Sequence, residues 1–369
     1  MSRTRDDDAC PGALQVHQAA DGALARLRLP GGMIAAAQLE ALARAAADHG
    51  NGTLELTARG NLQLRGVRDT GAVAEAAAAA GLLPSPSHER VRNIVASPLS
   101  GRVGGLADVR PWVGELDTAL QADAGLAALP GRFLFGLDDG TGDISGLRAD
   151  VGAQVLGERA ALLLAGRDTG VRLRLDDVVP TLLTVARRFV ETREKAWRVA
   201  ELADPDDLVS GFEVTAPAGS IHTPLRRPPV GWIPQDDGLV ALGAAVPLGV
   251  LSARQAEFVA AIDAPVVITP WRSLLVFDLA EGVADTSLRV LAPMGLVFDE
   301  NSRWLEVTAC VGSPGCEKAL ADVRAEATRA AADATATGPV HYVGCKRACG
   351  SPVSGTVLVA TDKGFEVRG

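Results

Sequence analysis

The sequence predicts a duplicated α+β protein, built twice from a strand, helix, hairpin and helix followed by an α/β segment. Three observations carry that expectation. The chain has 369 residues, too many for one small core. Short alternating apolar runs recur between Ala-rich stretches with helical spacing. One such stretch, 239–279, can be laid over 23–67 with few gaps. Hydrophobic residues make up 47% and charged residues 22%, ordinary for a globular chain in water. The net charge of −9 leaves no global basic field, so no nucleic-acid partner is expected. No apolar run approaches the ~20 residues of a membrane helix. No apolar h-region follows "MSRTRDDDACPGA". A cytoplasmic protein without a membrane partner is the expectation.

Residues 1–13 are expected to form a disordered tail. "ALARLRL" (23–29) alternates like a strand, and "LPGG" turns it. "AAAQLEALARAAADHG" (35–50) has helical spacing of Leu and Ala and ends on a glycine suited to a C-cap. "TLELTA" and "LQLRGV" are strands joined across Arg59-Gly60-Asn61, and "GAVAEAAAAAGLL" (71–83) is a second helix. The order β-α-β-β-α is a ferredoxin-like unit, spanning 14–83. An α/β segment follows over 84–204. "ADPDD" (203–207) and "TPLRRPPVGW" (223–232) punctuate the join between halves. The second ferredoxin-like unit, 205–298, repeats the first: "VPLGVLSARQ" answers "LPGGMIAAAQ", and "VVITPWRSLLVFDL" answers "LELTARGNLQLRGV". A last α/β segment occupies 299–369, completing a pseudo-two-fold architecture.

The copies differ in charge. The first carries Arg26, Arg28, Arg59 and Arg65 around its turn and hairpin. The second has Val246, Leu248, Arg272 and Asp278 in roughly those places. One retained anion pocket and one decayed pocket would produce this pattern, and so would arginines kept on exposed strands for solubility. A regular strand through 23–29 would put Arg26 and Arg28 on one face.

Four of the five cysteines, Cys310, Cys316, Cys345 and Cys349, form a C-x5-C…C-x3-C pattern. Cys10 stands apart in the tail. Clustered thiols in a reducing compartment point to metal or redox work. Four thiolates can hold Zn²⁺ or a [4Fe–4S] cube. Zinc sites mostly use x2–x4 pairs, so the x5 loop is unusual for them. A wide "VGSPG" loop can wrap a cube corner and aim N–H groups at its sulfides. Four buried small hydrophobes would be the bland account. "GCKRACG" follows the β-like "VHYV", which places Cys345 and Cys349 on a tight turn.

"TACVGSPGC…HYVGCKRACG" resembles the cluster motif of the nitrite and sulfite reductase family, in which a [4Fe–4S] cube sits against sirohaem. "RLRLPGG" with "LTARGNLQLRG" resembles the family's first ferredoxin-like half. "VRNIVASP" (91–98) is similar to its Arg-Asn stretch, and "LPGRFLFGLDD" (129–139) to its Leu-Pro-x-Lys-Phe-Lys strand. The resemblance covers nearly the whole chain. It implies Cys310, Cys316, Cys345 and Cys349 as cluster ligands, Cys349 being the counterpart of the family's bridging cysteine. It implies tetrapyrrole-carboxylate contacts from Arg28, Arg59 and Arg92. Arg26, Arg65, Arg132, Lys346 and Arg347 are further candidates, because guanidinium matches carboxylates in bidentate fashion.

Arg132 and Leu134 stand where the reductases have two lysines, so one anion-clamping cation is missing. The short single-copy form with this pattern resembles instead the family's branch in aerobic cobalamin synthesis. There the tetrapyrrole pocket holds precorrin-3A as substrate where relatives hold sirohaem. That likeness implies a monooxygenase that uses dioxygen and electrons to hydroxylate a meso carbon, with γ-lactone closure giving precorrin-3B. It also implies a further non-haem iron, of two-His-one-carboxylate form. His17, His49, His88, His222 and His341 show no ligand spacing; only His341, beside the second cysteine pair, merits inspection. No nucleotide fingerprint follows a strand, so a separate electron-donor protein is expected. "LDDGTGD" (137–143) lacks the spacing of a calcium loop and reads as a hairpin turn. Two alternatives stay open: a sirohaem-dependent sulfite or nitrite reductase, and a non-catalytic electron carrier or zinc-stabilised binding module.

Overall fold

Helical spacing in the first unit resolves into burial. In the computed structural model, which describes residues 10–219, 228–333, 338–352 and 354–368, Leu39, Leu42, Ala43 and Ala46 line the buried face of one helix. In chain order the first unit contains β1 (His17–Ala19), β2 (Gly22–Leu27), β3 (Met33–Ile34), α1 (Ala36–His49), β4 (Thr53–Leu56), β5 (Leu62–Val67) and α2 (Thr70–Ala79). The cap of α1 differs from the expected one. Gly50 is extended, and the left-handed residue is Gly52 (φ 79); both N–H groups donate to the Ala46 carbonyl. Asp69 caps α2 by accepting from the Ala72 N–H at 2.9 Å.

The next segment contains β6 (Ile94–Ala96), α3 (Arg110–Ala122), β7 (Phe135–Asp138), β8 (Val151–Val155), β9 (Arg159–Leu164), β10 (Arg167–Arg174) and α4 (Val178–Thr192). The second ferredoxin-like unit contains β11 (Gly231–Pro234), β12 (Val240–Ala245), β13 (Val250–Ser252), α5 (Ala253–Ala260), β14 (Val266–Ile268), β15 (Ser273–Leu279) and α6 (Glu281–Leu291). The last segment contains β16 (Val307–Ala309), α7 (Val323–Ala332), β17 (Val340–Val343), β18 (Thr356–Thr361) and β19 (Gly364–Val367).

The two ferredoxin-like units exchange a strand. One sheet runs β1-β2-β5-β4-β13 and the other β11-β12-β15-β14-β3. After its 3₁₀ turn, each chain segment leaves its own sheet and pairs antiparallel with the edge of the other. Ile34 sits opposite Val266, and Leu251 opposite Leu54. Each exchange covers an edge that would otherwise present unpaired backbone.

Hydrogen bonds fix how the copies correspond. Gly32 N–H donates to Leu29 and Gly249 N–H to Val246; Thr57 N–H donates to Asn61 and Thr269 N–H to Ser273. Gly31 (φ 64) therefore answers Leu248 (φ 55), Gly60 (φ 66) answers Arg272 (φ 58), and Gly66 (φ 60) answers Asp278 (φ 62). The last pair occupies equivalent β-bulges, where the β2–β5 and β12–β15 registers both slip. The matched sequence segments keep their alignment, but the residues set against the arginines shift, by three positions for Arg28 and by one for Arg59 and Arg65. Arg28, Arg59 and Arg65 correspond to Ala245, Trp271 and Phe277.

The α/β segments share a topology too. One sheet runs β6-β7-β8-β9-β10 and the other β16-β17-β18-β19. In each, the first two pairings are parallel and the third is antiparallel. "LDDGTGD" therefore opens a crossover between the parallel strands β7 and β8, not a hairpin.

The described residues fall into two compact units. One comprises the described parts of Met1–Gly12, Arg28–Gly32 and Leu83–Arg226; the other comprises Ala13–Leu27, Met33–Leu82 and Arg227–Gly369. The first has a large core in which the Phe133 ring lies 5.1 Å from Phe135 and 5.0 Å from Phe189. The cysteine-bearing segment of the second has a much smaller one, made of Val307, Ala309, Val323, Ala327, Tyr342 and Ala360. Residues 1–9 of the expected tail lie outside the described residues. Cys10–Ala13 are placed, with the Pro11 carbonyl accepting from Arg28 at 3.0 Å and Ala13 1% exposed.

Candidate iron–sulfur centre

Parallel strands expose ligand-binding loops at their carboxyl ends, and the cysteines lie at two such ends. Cys310 follows β16 directly, and its N–H continues the ladder to the Tyr342 carbonyl at 2.9 Å. The Gly344 N–H, just beyond β17, donates to Cys310 Sγ at 3.3 Å. Leu320 N–H bonds the Gly344 carbonyl at 2.8 Å, tying the two cysteine loops together, and Cys316 N–H bonds Gly312 at 2.8 Å. Two glycines permit this closeness. A Cβ on Gly312 (φ 69) would fall 2.7 Å from Val323 Cγ2, and one on Gly344 2.5 Å from Ala319 Cβ.

The second pair sits on the turn after β17. Ala348 has φ 51, and its N–H closes on the Cys345 carbonyl at 3.1 Å. His341 is fully buried beneath it. Its Nε2 lies 3.0 Å from the Cys349 carbonyl and its Nδ1 2.8 Å from Thr308 Oγ1. Burial lowers its pKa to about 4, so the ring is neutral at pH 7, donates from Nε2 and accepts at Nδ1. Both nitrogens are thus taken, and His341 orients the Cys349 peptide. Arg272 Nη2 donates to the neighbouring Gly350 carbonyl at 3.2 Å.

The four thiols form one group. Burial raises the pKa of the Cys349 thiol, in a residue otherwise exposed; Cys310 and Cys345 push the same way, Arg347 opposes, and Cys316 adds to the rise. Yet no three of these sulfurs lie within 4.8 Å of one another. Among the described residues, the one group of three or more ligating atoms that close is Asp138, Asp139 and Asp143. A tetrahedral zinc ion with Zn–S near 2.3 Å draws its sulfurs to roughly 3.8 Å. Four thiolates gathered on neighbouring loops are a donor set that a zinc ion or an iron–sulfur cluster can use.

The candidate arginines divide between the units. Arg26 binds Gln63 Oε1 through Nε and Nη2 (3.1 and 2.7 Å), Gln63 Nε2 donates to Glu55 at 2.6 Å, and Glu55 pairs with Arg324 of α7. This row crosses β2, β5 and β4 on one face, because Gln63 is the cross-strand neighbour of both Arg26 and Glu55. Arg65 makes a two-point contact with Asp21 (3.0 and 2.7 Å) and donates to the Gly315 carbonyl in the cysteine loop at 2.9 Å. Arg59 is half-buried at the tip of the β4–β5 hairpin; Lys346 and Arg347 are exposed on the cysteine turn. In the other unit, Arg28 bonds the Arg90 carbonyl, Cys10 Sγ and the Pro11 carbonyl, and Arg92 grips Asp117 at 2.7 Å through two nitrogens. Arg132 lies exposed over the Trp197 ring at 5.2 Å. Arg26 and Arg28 do not share a strand face, since β2 ends at Leu27 and their partners differ. Sequence reasoning missed Arg272, Arg324 and Glu55; for Arg272 the signal was a non-glycine where the other copy has Gly60.

His88 is buried between the Ser85 and Ser87 hydroxyls and the Asp123 carbonyl, and His222 lies outside the described residues. Among the described residues no two-His-one-carboxylate group is formed.

Residues 17–80 match the family described as the nitrite/sulfite reductase ferredoxin-like half domain. Over this half domain the chain is similar to the nitrite and sulfite reductases. It is 27% identical over 378 residues to a protein of Sinorhizobium sp. named precorrin-3B synthase, covering 97% of this chain and 81% of that one. It is 25% identical over 381 residues to the ferredoxin–nitrite reductase of Synechococcus elongatus, covering 89% of this chain and 74% of the relative. In fold it resembles the NirA protein of Mycobacterium tuberculosis, with a TM-score of 0.77 at 19% identity over 94% of this chain and 74% of that one. The duplicated, nitrite/sulfite reductase-like α+β architecture expected from the sequence is the one observed. No helix among the described residues is long and apolar enough to cross a membrane.

Proposed function

We propose that this chain is a cytoplasmic iron–sulfur oxidoreductase that converts precorrin-3A to precorrin-3B, hydroxylating a meso carbon with dioxygen and closing a γ-lactone. The observation that carries this reading is the group of four cysteines on the loops after two parallel strands, in a chain that aligns along 97% of its length with a precorrin-3B synthase. Cys310, Cys316, Cys345 and Cys349 would hold a [4Fe–4S] cluster, which supplies single electrons when bound. One atom of dioxygen enters the product and the other leaves as water, so reducing equivalents must be delivered, here by a separate donor protein.

The chain's own residues bind and orient. Precorrins carry several carboxylates, and Arg59, Lys346, Arg347 and Arg132 stand at surfaces where carboxylates can reach them. Arg26, Arg65 and Arg92 act through the walls, holding Gln63, Asp21 with Gly315, and Asp117. Leu134 favours the synthase over an oxyanion reductase. It is 4% exposed, with its N–H on Asp150, so it cannot offer the cation that reduction of a small oxyanion would use there.

Anaerobically purified protein tests this directly. About four irons and four sulfides per chain, a broad cluster absorption without haem bands, and dioxygen-dependent conversion of precorrin-3A are expected. Extractable sirohaem with nitrite or sulfite turnover would replace the reading with the reductase. Zinc without sulfide would sink both.

A further inference from the structure

We propose that Arg272 is the cation that tunes the reduction potential of the cluster held by the four cysteines, acting from the hairpin of the second ferredoxin-like unit. The inference rests on the reading of those cysteines as cluster ligands.

The position is the first argument. Arg272 answers Gly60 in the first unit, and both adopt left-handed backbone, φ 58 and φ 66. Glycine takes that conformation freely, whereas an arginine is strained there. The second unit therefore retains a strained side chain where the first shows that none is needed to close the hairpin.

Its surroundings are the second argument. The stem packs on the turn before β13, where a Cβ on Gly249 would lie 2.8 Å from Arg272 Cδ. Its Nη2 reaches the Gly350 carbonyl, one residue past Cys349, and a Cβ on Gly350 (φ 75) would lie 3.0 Å from that nitrogen. Both glycine positions thus leave room for the guanidinium. Burial disfavours its charge, as does Arg324, while Glu55 and Cys310 favour it. Glu55 is itself shared with Arg324, so its negative charge is divided between two cations. His341, on the other side of the same turn, is neutral and contributes geometry only.

The consequence is electrostatic. A cube held by four thiolates is anionic and becomes more so on reduction, so a nearby cation in partly buried surroundings favours the reduced form. Removing the charge should lower the midpoint potential.

The test compares full-length wild type with Arg272→Gly, Arg272→Gln and Arg272→Lys, measuring iron and sulfide content and then the cluster midpoint by redox titration with EPR readout. Arg272→Gly keeps the left-handed turn without the charge. It should load iron and sulfide fully and become roughly tenfold harder to reduce at a fixed potential, about 59 mV for a one-electron couple. Arg272→Gln should shift the same way and Arg272→Lys much less. Loss of the cluster from both uncharged variants, with Arg272→Lys still loaded, also supports a role for the charge. An uncharged variant that loads fully at the wild-type potential overturns the proposal, as does Arg272→Lys failing to load. Wild type without sulfide overturns the cluster reading itself, and this inference with it.

Discussion

The two α/β segments place the same loops at the ends of the same strands and fill them with opposite chemistry. Ser97 N–H bonds the Leu137 carbonyl at 3.0 Å as Cys310 N–H bonds Tyr342 at 2.9 Å. Asp139 N–H donates to Ser97 Oγ at 3.1 Å as Gly344 N–H donates to Cys310 Sγ at 3.3 Å. Ser97 is thus the oxygen counterpart of Cys310, and Asp138 occupies the place of Val343. The sulfur loops gather four soft ligands over a small core. The oxygen loops use their carboxylates on themselves: Asp138 accepts from the backbone of Gly140, Gly142, Ile144 and Ser145 and from the Ser145 hydroxyl. Identical topology supplies a place for a ligand, and residue chemistry decides whether one is bound.

The comparison breaks most readily at the cysteines. Cys349→Ser should remove nearly all bound iron and sulfide, and should lower the thermal midpoint by on the order of 10 °C, because the small core of 299–369 loses its staple. Asp143→Asn should leave iron and sulfide at wild-type levels. Equal loss in both variants would show that the two loops are not chemically distinct.

A smaller effect separates the paired positions Asp138 and Val343. Asp138→Ala leaves several buried donors without their acceptor and should cost about 3 kcal/mol. Val343→Ala only opens a small cavity and should cost about 2 kcal/mol. Urea unfolding of the two variants reads the difference, and a negligible loss in Asp138→Ala would mean that the acidic turn closes without that carboxylate.

The finest test is pH. Burial raises the Asp143 pKa from 3.8 to about 7, Ser97 opposing and the Asp138 and Asp139 charges adding to the rise. The folded state then binds the proton more tightly than the unfolded chain. The contribution of Asp143 to stability should be greatest below pH 4, fall as pH rises towards 7, and level off above it. Asp143→Asn should flatten that slope and stabilise the protein above pH 7 by up to a few kcal/mol. An unchanged slope in chemical denaturation from pH 4 to 8 would remove Asp143 as its source.

Much of this was legible in the residues. Apolar periodicity found the two β-α-β-β-α units, and the match of 239–279 to 23–67 found the duplication. The cysteine spacing located the candidate centre. The counterparts of the first copy's arginines were misplaced by one to three residues because Leu248, Arg272 and Asp278 hide left-handed positions that glycine would have advertised. The exchange of β3 and β13 was invisible, since a short apolar strand does not encode which sheet edge it joins. The partners of the arginines were equally hidden. Arg65 and Gly315 are 250 residues apart, and Arg324 and Glu55 are 269 apart.

By itself the sequence determined what depends on local pattern: element types, the repeat, the four clustered cysteines and the absence of a cation at Leu134. Tertiary structure alone decided which charges meet. It committed Arg65 and Arg92 to carboxylates and set Arg272 and His341 on either side of the Cys349 turn. The physical reason is range. Helix and strand periodicities act over a few residues, whereas ion pairs and ligand spacing depend on which distant segments the burial of apolar faces brings together.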